Sequence, residues 1–368
     1  MLSMKELRFV LALQRVNNLG DISAKKLISI VGSAEGIFKE KTSTLLKING
    51  IGRFKLKELN ESHLFDAAEE ELDYINAKGI SFSYFEDKGY PEYLKHCVDG
   101  PILFFHHGNI DLGRKRIISV VGTRNVTQHG RRFCEKFIEE LSPLSPVIVS
   151  GFAYGVDITA HKTAMKCGLQ TIACLAHGFN QIYPKTHKRY VNGVKRNGGF
   201  ISEFWSSDSF DRNNFLKRNR IIAGISQATV VIESARKGGS LVTADIANSY
   251  NREVFAIPGR PEDLWSQGCN DLIKSQKAQL ITNAAELIYL LGWELEEQAT
   301  QGKQARLFVE LTKEEKKIYN YLFSKEKQTI DSIAIDCEIP THKVASLLLN
   351  LELKGVVQPL SGKYFRAI

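Results

Sequence analysis

Ile117-Ile-Ser-Val-Val-Gly-Thr-Arg-Asn125 is the stretch that decides the fold. Its apolar, β-branched half reads as a strand buried on both faces, and its Gly-Thr-Arg end reads as the turn where the strand gives way to a helix. The same grammar recurs downstream. Short apolar runs at 118–121, 147–149, 171–175, 200–202, 229–232, 254–257 and 280–281 alternate with stretches of helical length. That alternation predicts an α/β domain over 111–293, a Rossmann-like doubly wound parallel sheet covered by helices on both faces.

Outward from this centre the patterns change. Residues 1–110 read as a helical domain, in which Asn18-Leu-Gly-Asp-Ile-Ser-Ala-Lys-Lys-Leu27 and Asn49-Gly-Ile-Gly-Arg-Phe-Lys-Leu56 each set a glycine turn before an amphipathic helix. The pair resembles a tandem helix-hairpin-helix of the SAM-like kind. Such turns present backbone N–H groups to a phosphate, and the same glycines serve equally well as tight turns in a small bundle. On the other side, 294–306 is rich in Glu, Gln and Gly, as a linker is. In 307–368, Thr312 with Glu315 marks a helix start. Two further helical stretches and the strand pair Val356-Val357 and Tyr364-Phe365 complete a winged-helix pattern, a fold that binds DNA in some proteins and other proteins in others.

The chain has 368 residues, two or three domains at about 150 residues each, and 43% hydrophobic with 24% charged residues excludes a disordered or fibrous chain. Six cysteines without a C-x-x-C pair suggest neither a zinc knuckle nor a disulfide framework. No apolar run has signal-peptide or membrane-spanning character, so a cytoplasmic location is expected. The net charge is +8, and its distribution is informative. Residues 1–110 hold 14 basic against 15 acidic side chains, 111–295 hold 24 against 16, and 296–368 hold 11 against 10. The whole excess lies in the sheet domain, the footprint expected of a site for a polyanion.

Ligands of open α/β sheets sit beyond the C-terminal ends of the strands. There this sequence places Gly122-Thr-Arg124, Ser150-Gly151, His177-Gly178 with Tyr183-Pro-Lys185, Glu233 to Ser240 with Gly238-Gly239, and Pro258-Gly259-Arg260. Ahead of the 229–232 run stands Phe215-Leu-Lys217-Arg218-Asn219-Arg220. Small residues let a phosphate approach the backbone, and the arginines and lysines supply charge. The dinucleotide fingerprint G-x-G-x-x-G is missing after the first strand and no Walker motif occurs, so no cofactor is expected. His161 and His177 have no evident catalytic partner; pairing of Asp157 with His161 on one helix face accounts for the first.

These motifs, in order, resemble the DNA-processing protein A (DprA or Smf) family: Val120-Val-Gly-Thr-Arg124, Val149-Ser-Gly-Phe-Ala-Tyr-Gly-Val-Asp157 with His161, Thr171 to Gly178 with Tyr183-Pro184, Ile201-Ser-Glu203, Arg218-Asn-Arg-Ile-Ile-Ala223, Gly239-Ser-Leu-Val-Thr-Ala244 and Pro258-Gly259. The resemblance implies a non-catalytic protein that binds single-stranded DNA, protects it, loads the recombinase RecA onto it in natural transformation and recombination, and dimerises through the Rossmann-like domain. Carried onto this sequence, the strand-binding candidates are Arg124, Ser150, Gly151, Lys185, Phe215, Lys217, Arg218, Asn219, Arg220, Gly239 and Ser240. Phe215 offers a face for a base, or it plugs the core; Arg124 grips the strand, or it pairs with Asp157 or Glu233. The family motif G-[ST]-N-x-L-I-x-x-G-A is broken here, where Gln276 stands in place of its second glycine.

A rival from another class is a nucleotide N-glycosidic hydrolase of the lysine-decarboxylase-like kind, whose P-G-G-x-G-T-x-x-E motif is approached by Lys237-Gly-Gly-Ser-Leu-Val-Thr-Ala-Asp245. Its acid would be Asp245.

Overall fold

The computed structural model describes residues 2–293, 311–325, 327–354, 356–360 and 364–367, and it divides into two compact units, one ending at residue 295 and one beginning at 296. The expected linker, 294–306, lies outside the described residues.

The first unit is built on a nine-stranded sheet: β1 (Ser81–Tyr84), β2 (Leu103–Gly108), β3 (Ile117–Val121), β4 (Val147–Ser150), β5 (Thr171–Cys174), β6 (Gly198–Ser202), β7 (Ala228–Val231), β8 (Glu253–Ala256) and β9 (Gln279–Leu280). Their order is β1-β2-β6-β5-β4-β3-β7-β8-β9. From β6 to β9 every pairing is parallel, and all seven of these strands fall on the runs read from the sequence. The sheet is nevertheless mixed. β1 and β2 pair antiparallel at one edge, with Phe105 facing Ser202 across the β2 and β6 junction. They come from 81–108, which the sequence reading gave to the helical segment, so the sheet extends into that stretch. Leu103-Phe-Phe-His-His-Gly108 lacks the alternation that marks a half-buried strand because Phe104 and Phe105 are both buried, each in a different core.

Alternation inside the parallel strands feeds the two faces. Ile117, Val121, Val147 and Val149 enter the core on one side, whereas Ile118, Val120 and Ile148 enter the core on the other. Helices such as Gln128–Leu141, Asn214–Ile225 and Gly239–Ser249 cover these faces. The N-terminal helices pack as one cluster with Leu103, Phe105 and Trp205 of the sheet layer. Arg15 fastens that junction: its guanidinium lies 4.0 Å from the Trp205 ring centre and 2.6 Å from Asp208.

The second unit is a winged helix. Helices Lys313–Lys325, Ile330–Asp336 and Thr341–Leu353 surround Ile318, Leu322, Ile333, Val344 and Leu348. β10 (Gln328–Thr329), β11 (Val357–Leu360) and β12 (Tyr364–Ala367) form a sheet in the order β10-β12-β11. The Thr312 and Glu315 box forms as read: each backbone N–H is accepted by the other's side chain, at 2.8 and 3.3 Å.

Candidate nucleic-acid interface

The strand order reverses between β3 and β7, which lie side by side while the chain continues outward from them in opposite directions. At such a point the loops leaving the two strands part and a crevice opens. Here it is a cleft of about 610 Å³, lined from below by Gly122, Thr123 and Arg124 after β3 and by Ser234, Gly239 and Ser240 beyond β7. Phe215, Arg218 and Asn219 line it from the helix Asn214–Ile225.

Two backbone features hold this edge. Gly155 has φ +77°, a left-handed conformation that an L side chain rarely adopts, and a Cβ there would strike the carbonyl of Thr123. Next to it, Gly151 lets two buried charges converge: a Cβ would lie 2.6 Å from Arg218 Nη1 and 2.7 Å from Asp157 Oδ2. Asp157 accepts the N–H groups of Gly151 and Ala153 at 3.1 and 3.2 Å. Burial pushes its pKa up, while the Arg218 charge and these donors pull it down. Arg218 donates through Nη1 to the carbonyls of Gly151, at 2.7 Å, and Cys174, and burial lowers its own pKa.

The sequence candidates therefore separate into three groups. Arg124, Phe215, Gly239, Asn219, Ser240 and Arg218 do converge on the cleft. Within that group Arg124 is exposed, and its guanidinium carbon stands 5.3 Å from the Phe215 ring centre. The alternative pairing is not made: Asp157 is taken by Gly151 and Ala153, and Glu233 accepts the Thr127 N–H and hydroxyl at 2.9 and 2.5 Å. Phe215 is half-buried and faces the cleft rather than plugging the core. Arg218 and Asn219 are buried and brace the floor, Asn219 by donating to the Gly239 carbonyl at 3.3 Å, and the Ser240 hydroxyl is engaged with Ser234 at 2.9 Å.

Lys185 and Lys217 form the second group, exposed but outside the cleft lining. The third comprises Ser150, Gly151 and Arg220, which sit behind the surface. Ser150 is fully buried and donates to the Val120 carbonyl at 2.7 Å, and Gly151 is buried beneath Arg218. Arg220 points to the opposite side of its helix, where it joins Glu203, Asp21 at 3.1 Å and the Asp99 carbonyl, tying the helical segment to the sheet. Burial drives Glu203 up to about 7 despite the Arg220 charge. The R-N-R spelling could not reveal this division, since residues 218 and 220 of one helix face directions about 200° apart.

What sequence reasoning missed is an aromatic group. Tyr183 and Phe210 are 40% and 43% exposed, and with Phe215 they form a triangle of rings whose centres are 5.0, 5.8 and 5.8 Å apart. Phe210 lies in the loop between β6 and the next helix, where only its position in space discloses a role. The histidines are structural. His161 is fully buried against the Thr171 hydroxyl at 2.7 Å rather than against Asp157, and burial lowers its pKa to about 3. His177 accepts the Tyr183 N–H and bonds the Gly178 carbonyl. Asp245, the rival's acid, lies outside the cleft and pairs with Lys277 at 2.9 Å. Among the described residues, no cluster of His, Cys, Asp and Glu suits a metal ion, and no helix is long and apolar enough to cross a membrane.

Comparison with known proteins agrees with this geometry. Residues 81–292 match the family model of DNA recombination-mediator protein A, and 303–363 match that of the DprA winged helix domain. Protein Smf of Synechocystis sp. is 31% identical over 295 residues, covering 78% of this chain and 73% of that protein. DNA processing protein DprA of Streptococcus pneumoniae is 38% identical over 208 residues, covering 56% and 73%. The solved structure of the S. pneumoniae protein aligns with a TM-score of 0.64 at 28% identity, over 78% of this chain and 98% of that one. DNA processing protein A from Helicobacter pylori, whose structure was described for its single-stranded DNA binding mode, aligns at 0.52 with 28% identity, over 57% and 95%. By its matched domains, its relatives and its fold, this chain belongs to the DprA/Smf family.

Proposed function

We propose that the chain binds single-stranded DNA in the cleft between β3 and β7, shields the incoming strand, and hands it to the recombinase RecA during natural transformation and recombination. The observation that carries this reading is the cleft's exposed rim, an arginine laid against one ring of a three-ring platform. Unpaired bases have open faces that stack on such rings, whereas bases in a duplex are already stacked, and the arginine supplies the backbone charge. The single-stranded DNA binding mode named for the H. pylori relative, and the mediator role in the family's description, support it. Homodimerisation through the sheet domain is part of the proposal, as is action without catalysis; the hydrolase reading is disfavoured because Asp245 is committed to Lys277 away from the cleft.

The test is a titration of labelled single-stranded and blunt duplex oligonucleotides by fluorescence anisotropy across several salt concentrations. Tighter binding of the single strand is expected, weakening with salt as phosphate contacts release counterions. Equal affinity for duplex would overturn the assignment.

A further inference from the structure

From Lys185 to Arg196 the sequence holds five basic residues and no acidic one. The segment folds as the 3-10 helix Lys185–Tyr190 followed by the helix Val191–Arg196, and Lys185, Lys188, Arg189 and Arg196 are all exposed. Among the described residues, Lys185, Lys188 and Arg189 make no ion pair, so their charge is uncompensated locally. The segment begins at the cleft's rim: Pro184 alone separates Lys185 from Tyr183 of the ring platform.

The strip is also held rigidly. The Tyr154 hydroxyl meets the Thr186 hydroxyl at 3.0 Å, and His187 is buried beneath, bonded to the Phe152 carbonyl at 2.9 Å. At the far end Tyr190 gathers two cations, with Arg189 4.8 Å and Lys162 6.0 Å from its ring centre. A row of unpaired cations with a tyrosine at each end suits a flexible polyanion that carries aromatic groups.

Resting on the cleft reading, we infer that the strand continues past Tyr183 along this strip, its phosphates held by Lys188 and Arg189 and a further base set against Tyr190. Six residues at a rise of about 2 Å span about 12 Å, room for roughly two further phosphates. The strip thus lengthens the footprint on the strand, and Lys185, outside the cleft, acts as its first step.

The experiment compares oligothymidylates of about five and about twenty nucleotides, lengths that bracket a site of this size, on the full chain and its Lys188→Gln/Arg189→Gln variant. Loss of two phosphate contacts should lower the slope of log affinity against log salt by about 1.4 on the long strand and weaken it roughly tenfold at low salt, leaving the short one unchanged. Because Arg189 leans on Tyr190, Lys162→Gln/Lys188→Gln provides a second variant that keeps that contact, and it should show the same length dependence. Equal losses on both lengths, or none on either, overturn the strip; the second result would leave an acidic protein surface as its occupant. Arg124→Ala separates the two readings. If it leaves short-strand affinity intact the cleft assignment fails, while the strip is judged on the long-strand slope alone.

Discussion

The same device, a glycine turn ahead of a helix, occurs in two regions of this molecule with different results. In the helical segment the two turns repeat each other closely: Asn18 and Gly50 are left-handed at φ 65° and 82°, and two residues later Gly20 and Gly52 are extended, each preceding a helix. The lysines there are spent on closing the turns. Lys26 donates to the Asn49 carbonyl at 2.5 Å, and Lys55 to the Ser23 hydroxyl and the Gly50 carbonyl at 2.8 and 2.9 Å. At the cleft, the turn after β3 leaves Arg124 resting on Phe215 with no carboxylate against it. A glycine turn permits a phosphate; whether one is attracted depends on where the neighbouring cations are committed.

The largest expected effect tests the cleft's own division of labour. Arg218→Ala would leave Asp157 as a buried carboxylate without its nearest cation, and the Gly151 and Cys174 carbonyls without their donor. A stability loss of about 3–5 kcal/mol is expected, as for breaking other buried charge pairs. If thermal or denaturant unfolding shows Arg218→Ala near wild type while strand affinity falls, Arg218 is a contact residue and the bracing assignment is wrong.

Next in size is the contrast between Arg124 and the turn lysines. Arg124→Ala should cost strand affinity about 10- to 100-fold, a loss of about 1.4–2.7 kcal/mol, with stability changed by no more than about 1 kcal/mol for the lost contact with Phe215. Arg124→Lys should recover only part, since a point charge neither stacks nor grips two phosphate oxygens at once. Lys55→Ala should do the opposite, lowering stability by about 1 kcal/mol and leaving strand affinity intact. A loss of affinity in Lys55→Ala would promote the helical segment to a second contact with the strand.

The sheet was legible because burial on both faces writes continuous apolar runs, and the switch point followed from counting them. β1 and β2 were not, since a strand such as Ser81-Phe-Ser-Tyr84 is too short to stand out beside helical neighbours and gains its partner only from β6, far along the chain. In the site, residue type identified Arg124 and Phe215, but direction is a property of the helix they sit near. Arg218 and Arg220 are two residues apart and serve different ends of the molecule. Phe210 carried no motif at all. Its relevance arises from ring-to-ring packing with Tyr183, which only the folded chain brings about.

The smallest effect concerns Gln276, where the family motif has glycine. The helix Gln267–Lys274 ends there in a Schellman turn: the N–H of Lys277 reaches the Leu272 carbonyl at 2.9 Å and that of Gln276 the Ile273 carbonyl at 3.0 Å. This geometry requires a left-handed residue, and Gln276 supplies it at φ 57°. The departure from the motif therefore leaves the turn intact and places a strained side chain in it, at a cost of about 1–2 kcal/mol relative to glycine. Glycine would also loosen the unfolded chain, offsetting about 0.4–1 kcal/mol of the gain. Gln276→Gly should thus stabilise the protein by about 0.5–1 kcal/mol in denaturant unfolding, and Gln276→Asn by less, while Gln276→Val, branched at Cβ, should destabilise it. A destabilised Gln276→Gly would mean that the glutamine side chain contributes a contact worth more than the strain it bears.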